Sequence, residues 1–145
     1  MAVPRYHHRA KADLQAIASQ LGADVPFFLS GGTAIAEQRG DHLSHVPTQK
    51  QWFTIAWPGV ELSTQDVYRA WDTMPGDMPN QLMNAAFSVE PQLKEFLKSL
   101  GPTWQMTGSG SAFFRRCESE QEARDIVAKL DCWTAVAQAI GPWSE

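Results

Sequence analysis

This chain of 145 residues has little with which to build a covalent, metallic or membrane scaffold. Its two cysteines, Cys117 and Cys132, form neither a CxxC pair nor a metal-ligand spacing, which argues against a disulfide framework and leaves reduced thiols filling small core positions. The 12 basic residues form no cluster and the net charge is −4, so a nucleic-acid footprint and a polybasic membrane anchor are not expected. No apolar run reaches bilayer length, and the basic start MAVPRYHHRAKADLQ lacks an apolar core, so a soluble cytoplasmic chain without membrane or nucleic-acid partners is expected. The phosphate-loop pattern GxxxxGK[ST] is absent, as are internal repeats. His42 and His45 stand three apart in a polar stretch read as a solvated loop, with no third and fourth ligand at a recognisable spacing, so no metal site is assigned.

What is present is apolar and patterned. With 43% apolar side chains and six Trp, the chain can bury a core and is most simply one domain with an incomplete neighbour. The first ten residues show no periodicity and read as a loose arm. From about Lys11, Leu14, Ile17, Ala18 and Leu21 recur at helical spacing, with Gly22 as a helix stop. Val25 to Leu29 and Thr33 to Glu37 read as two strands joined through Ser30-Gly31-Gly32 as a hairpin, followed by a polar loop from Gln38 to Gln51.

From Gln51 onward the pattern is regular. Gln51 to Trp57 is a strand stopped by Pro58-Gly59, and Ser63 with Asp66 forms a capping box ahead of a short helix. Two helical pieces follow, Asn80 to Phe87 and Pro91 to Leu100. Strands are expected at Thr103 to Thr107 and Ala112 to Cys117, then a helix capped by Ser119 and Glu122, then a last strand at Thr134 to Ala139. The order is the split βαβ pattern of an α+β, ferredoxin-like sandwich.

Three features carry chemistry. Asp24 follows a helix end and precedes Val25-Pro26, where proline is expected to hold the preceding residue extended; the carboxylate is placed either as a general base or as a turn or capping residue. Gly108-Ser109-Gly110-Ser111 lies between two strands, where it can offer backbone N–H groups to an anion or simply permit a tight connection. Thr64 and Tyr68 are one helical turn apart on one face, and the Tyr68 ring is available either for stacking or for the core.

The segments LGADVPFFLSGGTAIAEQRGDHL, PGVELSTQDVYRAWD and MTGSGSAFFRRCESEQEARDIVAKL, in this order, closely resemble the second half of the 4-diphosphocytidyl-2-C-methyl-D-erythritol kinase family of the GHMP superfamily. The resemblance runs from about Ala12 to Ala139. It implies residues 1–50 as a remnant of the GHMP N-terminal domain carrying the GADVP motif, and residues 51–145 as the ferredoxin-like C-terminal domain. It also implies ATP-dependent phosphorylation, with Mg²⁺, of the 2-hydroxyl of a cytidine-diphospho sugar alcohol on the non-mevalonate route to isoprenoid precursors. On that resemblance Asp24 is the catalytic carboxylate, Thr64 and Tyr68 bind the cytidine end, and Gly108, Ser109 and Gly110 close near the phosphates. The family's glycine-rich ATP loop and N-terminal lysine belong to its upstream half, so a truncated chain, inactive alone, is the expectation. A ligand-binding module without catalysis, a remnant of a disrupted gene and another GHMP kinase are the alternatives. The sequence assigns no oligomeric state.

Overall fold

The computed structural model describes residues 6–37, 42–77 and 79–143, with side chains from residue 13 on. It divides into two compact units, one of Met1–Lys50 with Ala139–Glu145 and the other of Gln51–Gln138. None of the described helices is long and apolar enough to cross a membrane.

In the first unit, helix α1 spans Tyr6–Leu21, so the expected loose arm is helical from Tyr6 on, while residues 1–5 lie outside the described part. Of its apolar stripe only Ala18 is buried; Leu14, Ile17 and Leu21 are exposed. The segment after Asp24 is not a strand. Val25–Ser30 is a helix, α2, with Pro26 in its first turn, where a missing N–H costs nothing and the fixed φ already suits the helix. The hairpin expected around Ser30-Gly31-Gly32 is therefore absent. Strand β1, Thr33–Glu37, instead pairs antiparallel with β2, His42–Val46, inside the stretch expected to be a loop. The His-Leu-Ser-His-Val sequence has too little apolar alternation to declare a strand, and pairing with β1 supplies what propensity does not. Gly40, expected within that loop, lies outside the described residues. The Trp143 backbone N–H donates to the Ser30 carbonyl at 2.9 Å, and its indole N–H to the Phe28 carbonyl at 3.0 Å, which ties the chain's last described residues to the end of α2.

The second unit runs β3 (Trp52–Trp57), α3 (Thr64–Trp71), α4 (Met83–Val89), α5 (Gln92–Leu100), β4 (Gln105–Met106), β5 (Phe113–Cys117), α6 (Glu120–Val127) and β6 (Trp133–Gln138). Its four strands form one antiparallel sheet in the order β4-β5-β3-β6, the strand order of the expected ferredoxin-like sandwich. Ala56 and Phe113 face each other across β3 and β5 and are fully buried with Val67, Ala85, Ala86 and Leu93 from the helices. Both expected capping boxes start their helices. The Ser63 hydroxyl accepts from the Asp66 N–H at 3.3 Å and the Ser119 hydroxyl from the Glu122 N–H at 3.1 Å. The Glu122 carboxylate in turn accepts from the Glu118 N–H at 2.8 Å and pairs with Arg115 at 2.9 Å, joining α6 to β5.

Candidate functional site

Asp24 occupies the N-cap of α2, the position where a carboxylate ordinarily bonds the first free N–H groups of the helix. Here its side chain makes no capping hydrogen bond, and the residue is exposed. The turn is closed by the backbone instead, through Val25 N–H to Gly22 O at 3.3 Å and Phe27 N–H to Asp24 O at 3.2 Å. The carboxylate borders a recess of about 330 Å³ whose other walls include Phe27, Phe28, Ala34 and Leu43. A carboxylate beside an apolar wall, and not engaged as a cap, is available to accept a proton from a ligand hydroxyl. Val25 is helical rather than extended, so α2, and not an extended residue before proline, sets the direction of this carboxylate.

Thr64 and Tyr68 lie in the second unit. Ser63 caps α3 and so fixes Thr64 as its first helical residue, with Tyr68 one turn on. Tyr68 is 52% exposed, which removes the core alternative. The Thr64 hydroxyl lies 3.0 Å from the Ser109 hydroxyl, so the start of α3 and the glycine-serine loop are joined directly. In that loop Gly108 and Gly110 take φ of +43° and +94°, a region in which a Cβ is strained. A side chain at Gly110 would also press on Leu62 and Met106 at 3.1 and 3.2 Å.

Two further side chains, Trp57 and Asn80, hold this loop and were not singled out in the sequence. The Trp57 indole N–H donates to the Ser111 hydroxyl at 2.9 Å, and the Ser111 hydroxyl donates to the Val60 carbonyl. The amide of Asn80 donates to the Met106 carbonyl at 3.0 Å and to the Gly108 carbonyl at 2.8 Å. Asn80 stands three residues ahead of α4 and closes an Asx turn on the Leu82 N–H, a recognisable local role, but its long-range partners leave no trace in the sequence. Trp57, Leu62, Gly110 and Ser111 also line a recess of about 460 Å³ beside the loop.

The two histidines lie on β2, not in a loop, and an odd spacing on a strand sends them to opposite faces. His45 bonds the Ser30 hydroxyl at 3.1 Å, and His42 stands 3.5 Å from Glu37. Among the described residues no three His, Cys, Asp or Glu side chains come together around a metal position. This donor set does not fit a self-contained Mg²⁺ site, and no step below is routed through a protein-bound metal. Both cysteines are free thiols. Burial, reinforced by the Asp131 carboxylate, pushes the Cys132 thiol above its ordinary range, although a hydrogen bond with the Trp57 backbone works the other way.

No family model matches the chain. It is similar to the 4-diphosphocytidyl-2-C-methyl-D-erythritol kinase of Shewanella pealeana, 35% identical over 134 residues that cover 81% of this chain and 46% of that relative. The enzyme of the same name from a Janthinobacterium strain is 35% identical over 138 residues, covering 83% and 48%. A crystal structure of 4-(cytidine 5'-diphospho)-2C-methyl-D-erythritol kinase superposes with a TM-score of 0.69 at 32% identity, over 88% of this chain and 57% of that one. The chain thus spans about half the length of the curated relatives it matches. The likeness seen in its motifs is to part of this kinase, and its mixed α/β fold is similar to that of the same enzyme.

Proposed function

We propose that this chain carries the hydroxyl-activating and cytidine-binding parts of a kinase that phosphorylates the 2-hydroxyl of 4-diphosphocytidyl-2-C-methyl-D-erythritol. Residues 1–50 correspond, on this reading, to part of the GHMP N-terminal domain, and residues 51–145 to its C-terminal domain. The observation that carries the proposal is Asp24, a helix N-cap carboxylate that makes no capping bond, in a chain about one-third identical to kinases of that name. As the substrate oxygen bonds to the γ-phosphorus of ATP and the bond from that phosphorus to the β,γ-bridging oxygen breaks, the hydroxyl proton passes to the Asp24 carboxylate. Mg²⁺ travels with the nucleotide phosphates, an arrangement common for this ion, and requires no cluster of protein ligands.

The exposed Tyr68 ring stacks on the cytosine, and Thr64, bonded to Ser109, holds the cytidine end beside the glycine-serine loop. Gly108, Ser109 and Gly110 lie along the phosphates, where the two glycines leave the backbone uncovered for close approach.

The test is a chimera in which this chain replaces the portion of the Shewanella pealeana kinase that it matches. ADP release should depend on 4-diphosphocytidyl-2-C-methyl-D-erythritol and on no simple sugar alcohol. A folded chimera that binds the cytidine substrate without turning it over would assign the chain to ligand binding rather than catalysis.

A further inference from the structure

The glycine-serine loop has no regular structure to hold it, and two of its residues sit at positive φ. Its shape is therefore set by the groups that bond its carbonyls and hydroxyls. Asn80 makes two of these links and a third bond to its own turn. Its Nδ2 donates to Met106 O at 3.0 Å and to Gly108 O at 2.8 Å, and its Oδ1 accepts from the Leu82 N–H at 3.0 Å. Both amide hydrogens and the amide oxygen are engaged, across a sequence separation of 26 and 28 residues to the loop side.

The consequence follows from the planar trans peptide, in which C=O and the next N–H point in opposite directions. With Gly108 O drawn to Asn80, the Ser109 N–H is turned away from Asn80. Among the described residues that N–H has no backbone acceptor, while the hydroxyl of the same residue is 3.0 Å from Thr64. The neighbouring turn is closed by Gly110 N–H to Thr107 O at 2.6 Å and by Thr107 N–H to Ala112 O at 2.9 Å, and neither bond settles the direction of the peptide between Gly108 and Ser109.

We propose that Asn80 is a positioning residue of the kinase site: by holding the Gly108 carbonyl it presents the Ser109 N–H as a donor to a phosphoryl oxygen. This rests on the kinase reading above. It adds a residue that touches neither substrate nor nucleotide and acts only through the loop.

Asn80→Asp removes the two donors, keeps the oxygen that accepts from Leu82, and changes almost no volume. Asn80→Ser keeps a short hydroxyl for Leu82 but cannot reach the loop; it separates helix capping from loop holding and serves if Asn80→Asp does not fold. In amide NMR of the full chain, either variant should move the Ser109 and Gly110 resonances while those of α5 and β6 stay in place. As pH falls, the carboxyl introduced by Asn80→Asp protonates and regains one donor, so its Ser109 resonance should move back toward wild type, a rescue that a purely structural defect would not give.

In the chimera, kcat should fall about 10- to 100-fold, as expected for misplacing a stabilising donor, with KM for the cytidine substrate within about three-fold. Unmoved Ser109 and Gly110 resonances would overturn the proposal, and so would a displaced loop with unchanged kcat. A wild-type chimera without turnover would remove the kinase reading and with it the catalytic part of the proposal. The NMR comparison would still decide, on its own, whether Asn80 holds the loop.

Discussion

Phe113 is the first residue of β5, directly beyond the glycine-serine loop, and its neighbour Phe114 faces the other side of the same sheet. Phe113 is fully buried, packs at 5.7 Å from the Phe96 ring, and lies opposite Ala56 and Met106 on the flanking strands. Replacing it with Ala removes a whole core ring from a site walled by backbone and helices, so the cost should be about 3–5 kcal/mol. Phe114 is half-buried, with one edge-on contact to Phe53 at 6.1 Å. Its loss should cost about 1–2.5 kcal/mol from partial burial and one aromatic pair. At roughly 0.05–0.15 kcal/mol per residue, a unit of this length has on the order of 4–13 kcal/mol in hand. Phe113→Ala should therefore lower the urea midpoint by about 3 M or abolish the transition, and Phe113→Leu, which keeps most of the volume, provides a milder measurement on the same side chain. Far-UV circular dichroism during urea titration reads all three variants. If Phe114→Ala cost as much as Phe113→Ala, the assignment of core and outer sheet faces, and with it the β3–β5 register that seats the loop, would be wrong.

Ser119→Ala should destabilise the second unit by about 1 kcal/mol through loss of the α6 cap, read in the same urea titration; no change would mean that the 3.1 Å contact contributes nothing. Tyr68→Ala should weaken binding of the cytidine substrate by about 1–3 kcal/mol in isothermal calorimetry, and an unaltered Kd would remove the stacking role. The raised Cys132 thiol is short of thiolate at a given pH, so its alkylation by iodoacetamide, followed by mass spectrometry, should rise with pH later than that of a small free thiol. Asp131→Asn removes the smaller of the two raising causes and should move that profile partway down; an unshifted profile would discount the carboxylate.

The second unit was legible because its signals are local and agree with one another. Ser63 with Asp66 and Ser119 with Glu122 mark helix starts through contacts three residues long. The apolar stripe of Leu93, Phe96 and Leu97 declares the face of α5 that meets the sheet. The first unit misled where short-range rules compete. Val25 to Leu29 is apolar enough for a strand, but Pro26 suits the first turn of a helix equally well, and six residues give periodicity no room to decide. β2 was invisible because its partner β1, not its own sequence, makes it a strand. Asp24 was legible as a candidate, while the fact that it does not cap α2 emerges only from the positions of its atoms. Asn80 shows the limit most clearly, since its two loop partners lie 26 and 28 residues away and no local pattern encodes them.

The central claim is that the Asp24 carboxylate accepts the proton of the reacting hydroxyl. Single-turnover ADP formation by the chimera, wild type against Asp24→Asn, tests it most directly, with calorimetric binding of the cytidine substrate measured on the same samples. The account predicts a loss of turnover of about 100-fold or more, at the scale of general acid–base catalysis, with the dissociation constant unchanged within a few-fold. Turnover preserved in Asp24→Asn would contradict it and return Asp24 to the role of an ordinary residue at the start of a short helix.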